Sequence, residues 1–109
     1  MARDDWSREV AVTRADLDAG DWRTRDRSPV ALAIARVLRP GTTLFVDVGR
    51  EEYFLAHGSH RAWFGLPAEF LQHANRVQFE DSRDELTIKM RFPPWALPTE
   101  RWAKKQVGP

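Results

Sequence analysis

At 109 residues the chain has room for one hydrophobic core and not for two. An apolar fraction of 42% and a charged fraction of 30% speak against general disorder and against a membrane protein, no apolar run nears the roughly 20 residues that span a bilayer, and the opening MARDDWSREV lacks the apolar core of a signal peptide, so a soluble, cytoplasmic protein is expected. The absence of cysteine excludes disulfides, thiol chemistry and the commonest structural zinc ligand, and a formal net charge of +1 gives no general pull toward nucleic acid.

In chain order, Val10 and Val12 alternate with polar neighbours and predict a short strand; Thr13, with Asp16 three residues on, then caps one helical turn that ends at Gly20. Residues 21–27 have no apolar period and read as a loop. Ser28 is placed to cap a helix and Pro29 to occupy its first position, where a missing N–H is no loss; Val30 to Leu38 then runs as helix until Pro40-Gly41 stops it. Apolar residues cover most of its circumference, which predicts a central, largely buried helix.

Beyond that break, TTLFVDV sets Leu44, Val46 and Val48 on one face of a strand. YFLAH gives a second strand with Tyr53 and Leu55 on one side and Phe54 on the other, and HRAWFG a third, the three forming an antiparallel meander. LPAEFLQHANRV resumes helical spacing, with Phe70, Leu71 and Ala74 on one stripe and His73 on the polar side. DELTIKMRF alternates again, Leu86, Ile88, Met90 and Phe92 inward and Thr87, Lys89 and Arg91 outward, and is expected to close the sheet. From Pro93 on, the segment holds four of the seven prolines and is not expected to form regular sheet or a long helix before Pro98, after which a short helix over 99–105 is compatible with the sequence. The expected fold is α+β: a small, mostly antiparallel sheet of four to five strands with two main helices packed on it, one domain over 1–92, and a basic tail containing proline and tryptophan over 93–109.

The string VTRADLDAGDWRTRDRSPVALAIARVL, followed by a strand pair and then LPAEFLQHANRVQFE and LTIKMRFPPW, is similar to a family of short orphan proteins of phages, prophages and their bacterial hosts. Members open with a VTxxDIxxG phrase, continue to a CPVALAL helix and an LPxE helix, and finish on an alternating strand. Val12, Thr13, Leu17, Gly20, Pro29, Val30, Ala31 and Leu32 match the first part, and Leu66, Pro67, Glu69 and Phe70 the second. Ser28 stands where cysteine is usual, so a thiol role is not available here. The resemblance implies a genomic setting, one in which small proteins often bind host machines, antiviral nucleases among them.

Candidate sites divide by what their chemistry requires. Arg23, Arg25 and Arg27 precede a helix start and would suit an anion, but Asp21 and Asp26 lie among them and Pro29 removes a donor, so a locally paired, solvated loop is the expectation. His57 and His60 flank a tight turn without a third metal ligand fixed by spacing. Nucleophile elbows, phosphate-cradling loops and zinc helices are lacking, and the adjacent acids Glu51-Glu52 and Asp84-Glu85 point to opposite faces of a strand, so no enzyme is expected. The five tryptophans are many for this length. Trp6, Trp22, Trp95 and Trp102 sit beside charged or proline-rich stretches, where such rings either pack the termini down or anchor a partner.

The tail FPPWALPTERWAKK joins two of these rings to cations, which makes Trp95, Arg101, Trp102, Lys104 and Lys105 the first candidates for partner contact and Arg23 and Arg25 the second. The function expected is that of a non-enzymatic, cofactor-free protein of phage or mobile-element type that occupies a surface on a host protein complex, as an anti-CRISPR-like inhibitor of a defence nuclease does. The alternatives are a small DNA- or RNA-binding accessory protein and a homo-oligomeric structural protein, a homodimer included.

Overall fold

In the computed structural model, which describes residues 6–98, five strands form two antiparallel sheets with two main helices packed on them, an α+β architecture. Strand β1, Ser7–Val12, buries Val10 and Val12 completely. Its partner is the last strand, β5, Leu86–Arg91, with Val10 opposite Ile88 and Val12 opposite Leu86. The expected closure of one sheet by this strand therefore does not occur. Two strands of equal length and matching period find each other across the chain and pool their apolar faces. The meander of β2 (Thr43–Asp47), β3 (Glu52–His57) and β4 (His60–Gly65) stands as a separate sheet.

Helix α1, Arg14–Ala19, is too short to persist unaided, and local bonds hold it. Thr13 Oγ1 accepts from the Asp16 amide at 3.3 Å, and the Asp16 carboxylate accepts from the Thr13 amide at 2.9 Å, the reciprocal capping box. Asp16 is buried, and both its oxygens also accept from Arg36, whose second terminal nitrogen donates in addition to the Ala11 carbonyl at 2.7 Å. Burial pushes the Asp16 carboxyl toward a higher pKa. The Arg36 and Thr13 hydrogen bonds and the Arg36 charge outweigh that and hold it below the ordinary value.

Gly20 ends this turn against the next helix: a Cβ built there would lie 2.5 Å from Pro29 Cδ. Helix α2, Pro29–Ala35, begins as predicted, with Ser28 Oγ accepting from the Ala31 amide at 3.2 Å. It stops three residues before the expected end at Leu38. Val37 and Leu38 donate back only three residues, to Ile34 and Ala35, which tightens the last turn while Arg36 is drawn to Asp16. Val30, Ala31, Ala33 and Ile34 are buried, and α2 packs against β1, α1 and β2, so it joins the two sheets.

Within the meander the two-residue turn between His57 and His60 has Gly58 at φ 60°, a conformation that costs glycine nothing. Leu44, Val46, Tyr53 and Leu55 fill the core face, and burial raises the Tyr53 phenol to about 12. Helix α3, Ala68–Glu80, buries Phe70, Ala74 and Val77 as its spacing requires. His73 does not lie on a polar side: it is 1% exposed, and its Nε2 donates to the Asp84 carbonyl, which ties the loop before β5 to the helix. Periodicity places His73 next to Ala74 without showing that the chain folds back over it. A 3-10 turn, Pro94–Ala96, follows β5; Ala96 and Leu97 are buried, and the Arg39 amide donates to the Ala96 carbonyl at 2.9 Å. No helix among the described residues is long and apolar enough to cross a membrane, and the segment 99–105 read as a short helix lies outside them.

Gly20→Ala should lower the urea midpoint by the equivalent of about 1–3 kcal/mol, because the methyl group overpacks Pro29 while the backbone, at φ −73°, tolerates any residue. An unchanged midpoint would show that the contact gives way. Asp16 supplies a pH test: its folded-state pKa lies below the unfolded value of about 3.9, so its stabilisation is complete above that value and is lost as pH falls through the lower one. The stability difference between wild type and Asp16→Asn should therefore hold constant from neutral pH to about 5 and shrink below about 4. A difference that persists in acid would mean that the carboxylate charge contributes nothing.

Candidate functional site

The register of the meander decides which side chains share its outer face. Phe45 pairs with Phe54, and Phe54 with Trp63, so one aromatic residue from each strand falls into a single row across the sheet. The Phe45 and Phe54 ring centroids are 6.1 Å apart and stacked at 19°; those of Phe54 and Trp63 are 5.2 Å apart and tilted at 50°. Phe45 is 40% and Trp63 49% exposed. Single apolar residues at a surface are ordinary, whereas three adjoining rings form a continuous patch.

Charge is distributed unevenly around the row. Toward one end of the strands the face carries Thr43, Ala56 and Arg61; toward the other it carries Asp47, Glu52 and Gly65. Asp47 also receives Arg25 at 3.5 Å across the β2 edge, where the Val46 amide donates to the Arg25 carbonyl. The loop that carries Arg25 thus flanks the face on the β2 side.

Arg25 and Arg23 also line a cleft of about 420 Å³ between this loop and α3, with Trp22, Asn75, Gln78 and Phe79 around it. Both arginines are paired, Arg23 within its own loop and Arg25 with Asp47 on β2. Arg23 donates to Asp21 at 3.1 Å, and this bond holds the Asp21 carboxyl below its usual range and raises the Arg23 guanidinium. At the α2 start the Ala31 amide is likewise engaged, by the Ser28 hydroxyl. Phe79, 79% exposed on the last turn of α3, stands at this cleft.

The other predicted residues lie elsewhere. Trp95 is half-buried in the 3-10 turn, stacked on His60 at 5.3 Å and 16° and packed against the core. Arg101, Trp102, Lys104 and Lys105 lie outside the described residues. Trp6 and Trp22 are half-buried against the core as well. Lys89 on β5 faces Glu9 on β1, which interrupts the outward basic row. His57 Nδ1 lies 3.3 Å from Thr42 Oγ1, and among the described residues no three His, Asp or Glu side chains converge as a metal site would require. Glu51 occupies the β2–β3 turn at φ 61°, apart from the strand that holds Glu52.

The residues that sequence reasoning passed over are Phe45, Phe54 and Trp63. The signal was present: Phe54 falls on the face opposite Tyr53 and Leu55, and a two-residue turn at Gly58-Ser59 fixes Phe54 opposite Trp63. Compared with family models, curated proteins and solved structures, the chain matches none.

The exposure of the row carries an energetic expectation. Trp63→Ala should cost about 1 kcal/mol or less in urea denaturation, the scale of a cross-strand pair, whereas Leu55→Ala on the buried face of the same sheet should cost about 2–5 kcal/mol. Comparable losses for the two would place Trp63 in the fold rather than at a contact surface.

Proposed function

We propose that this protein is a non-catalytic binding module that docks a protein partner through the outer face of its three-stranded sheet. The observation that carries the reading is the row Phe45, Phe54 and Trp63, held in register by the ladder and left open to solvent at both ends. Aromatic rings on a rigid sheet bury much area at little entropic cost, which is the composition of interface hot spots. A protein is favoured over nucleic acid because Asp47 and Glu52 flank the same rings and would repel phosphates, and because the net charge is only +1.

The resemblance to phage and prophage proteins supports a finer version: the partner is a complex of the host cell, and occupying a surface of a defence nuclease, in the manner of an anti-CRISPR inhibitor, is the form the binding takes. Arg23 and Arg25 beside the face, and Arg101, Trp102, Lys104 and Lys105 in the tail, extend the contact in this reading.

Capture from host lysate by tagged wild type and by a Phe45→Ala/Trp63→Ala variant, each with and without nuclease and across a salt series, tests the proposal. A nuclease-resistant partner that tolerates salt and is lost in the variant is expected, since truncating a hot spot costs about 2 kcal/mol or more, roughly a thirtyfold loss of affinity. Capture that needs nucleic acid and falls steeply with salt would overturn it in favour of a DNA- or RNA-binding accessory protein.

A further inference from the structure

The outer face is complementary to itself, and we infer that a second copy of this chain closes on it face to face, so that any other partner must displace that copy. The inference rests on the docking face proposed above and names an occupant for it.

The charge layout selects the geometry. The face has three tiers across the strands: Thr43, Ala56 and Arg61; then Phe45, Phe54 and Trp63; then Asp47, Glu52 and Gly65. A twofold axis laid along the aromatic tier brings each ring over its own counterpart and exchanges the two outer tiers. Arg61 of one copy then lies over Gly65 of the other, beside Glu52 on the neighbouring strand, and Thr43 lies over Asp47. At Gly65 nothing comes within 4 Å of the place a Cβ would take, so there is room for an arginine side chain. An axis along β3 is disfavoured, because it sets Glu52 against Glu52 on the central strand. The tier spans three strands, about 10 Å at the usual spacing, and joins two sheets in a sandwich with aromatic rings at its centre. Twofold contacts of this isologous kind are the commonest form of self-association.

Within one copy Arg61 and Glu52 are not neighbours. Arg61 pairs with Ala56, four residues from Glu52 along β3, or about 13 Å. Glu52→Arg alone also meets Asp47, its cross-strand partner, so it is the recovery in the double variant that reports a contact between copies.

The test is the oligomeric state of the full chain by sedimentation velocity over a concentration series, for wild type, Trp63→Ala, Arg61→Glu, Glu52→Arg and the Arg61→Glu/Glu52→Arg double variant, each checked for folding by circular dichroism. Wild type is expected to dimerise and Trp63→Ala to be monomeric. Each single reversal should weaken the dimer about 10- to 100-fold, and the double variant should recover it, since like charges are set together in the singles and opposite charges again in the double. A monomeric wild type, a dimer indifferent to Trp63→Ala, or singles that the double fails to rescue would each overturn the inference. A monomer that still captures a lysate protein through Phe45 and Trp63 leaves the docking face standing and removes only the second copy; a rescued dimer with no other protein captured does the reverse.

Discussion

The carboxylate of Asp16 is the point from which the architecture is set. It closes the capping box of α1, accepts from both terminal nitrogens of Arg36, and through Arg36 is joined to the Ala11 carbonyl at the end of β1. One buried acid thereby holds a strand, a six-residue helix and the far end of α2. Its charge is tolerable in that position because every oxygen has a donor; remove Arg36 and a buried carboxylate is left short of partners, which costs far more than the pair contributes. At the other end of α2, Gly20 lies so close to Pro29 that any side chain would push the helix outward. Both ends of α2 are thus fixed, and α2 is the element that touches β1 in one sheet and β2 in the other.

This placement determines which surface stays open. With α2 and the rest of the core against the Leu44, Val46, Tyr53 and Leu55 side of the meander, the alternation of the strands puts Phe45, Phe54 and Trp63 on the opposite side. Cross-strand stacking accounts for a ring pair on such a face, since aromatic neighbours stabilise a sheet by about 0.2–1 kcal/mol. It does not account for a third ring that carries the apolar surface to both edges, because Phe45 and Trp63 still leave 40% and 49% of their surface in water. Asp16, Gly20 and Pro29 belong to this framework, and the aromatic row lies outside it. That separation leaves the framework intact whatever the outer face binds.

Local chemistry was legible in the sequence and partner choice was not. Thr13 with Asp16, Ser28 with Pro29, and the alternation of residues 43–47, 52–57 and 86–91 specify caps and strands because their causes lie within a few residues. That β5 pairs with β1 rather than with the meander depends on a contact across nearly the whole chain, which a period of two does not identify. The early end of α2 accompanies the tighter bonds of Val37 and Leu38 to Ile34 and Ala35, which periodicity does not distinguish from helix, and the burial of His73 comes from a loop folding over it to present the Asp84 carbonyl. Charged neighbours do not decide a tryptophan's exposure: Trp95 gains its burial from His60 and the core, while Trp63, within a strand, is the exposed tryptophan among the described residues. Composition around a ring says little about its burial; the parity of its strand position says much more.

The weak net charge fits the chemistry of this face. A strand of nucleic acid is held by many cations against its phosphates, and rings alone do not replace them. Here the rings lie between an arginine end and an acidic end, an arrangement that gains little from a uniformly charged partner and most from one that carries the opposite order along its length. The rings supply the area and the two ends set the direction, so reversing a partner on the sheet would keep the apolar contact and bring like charges together. For a partner docked on this face, orientation would therefore be set by Arg61, Asp47 and Glu52, three side chains of which Asp47 is already steadied by Arg25.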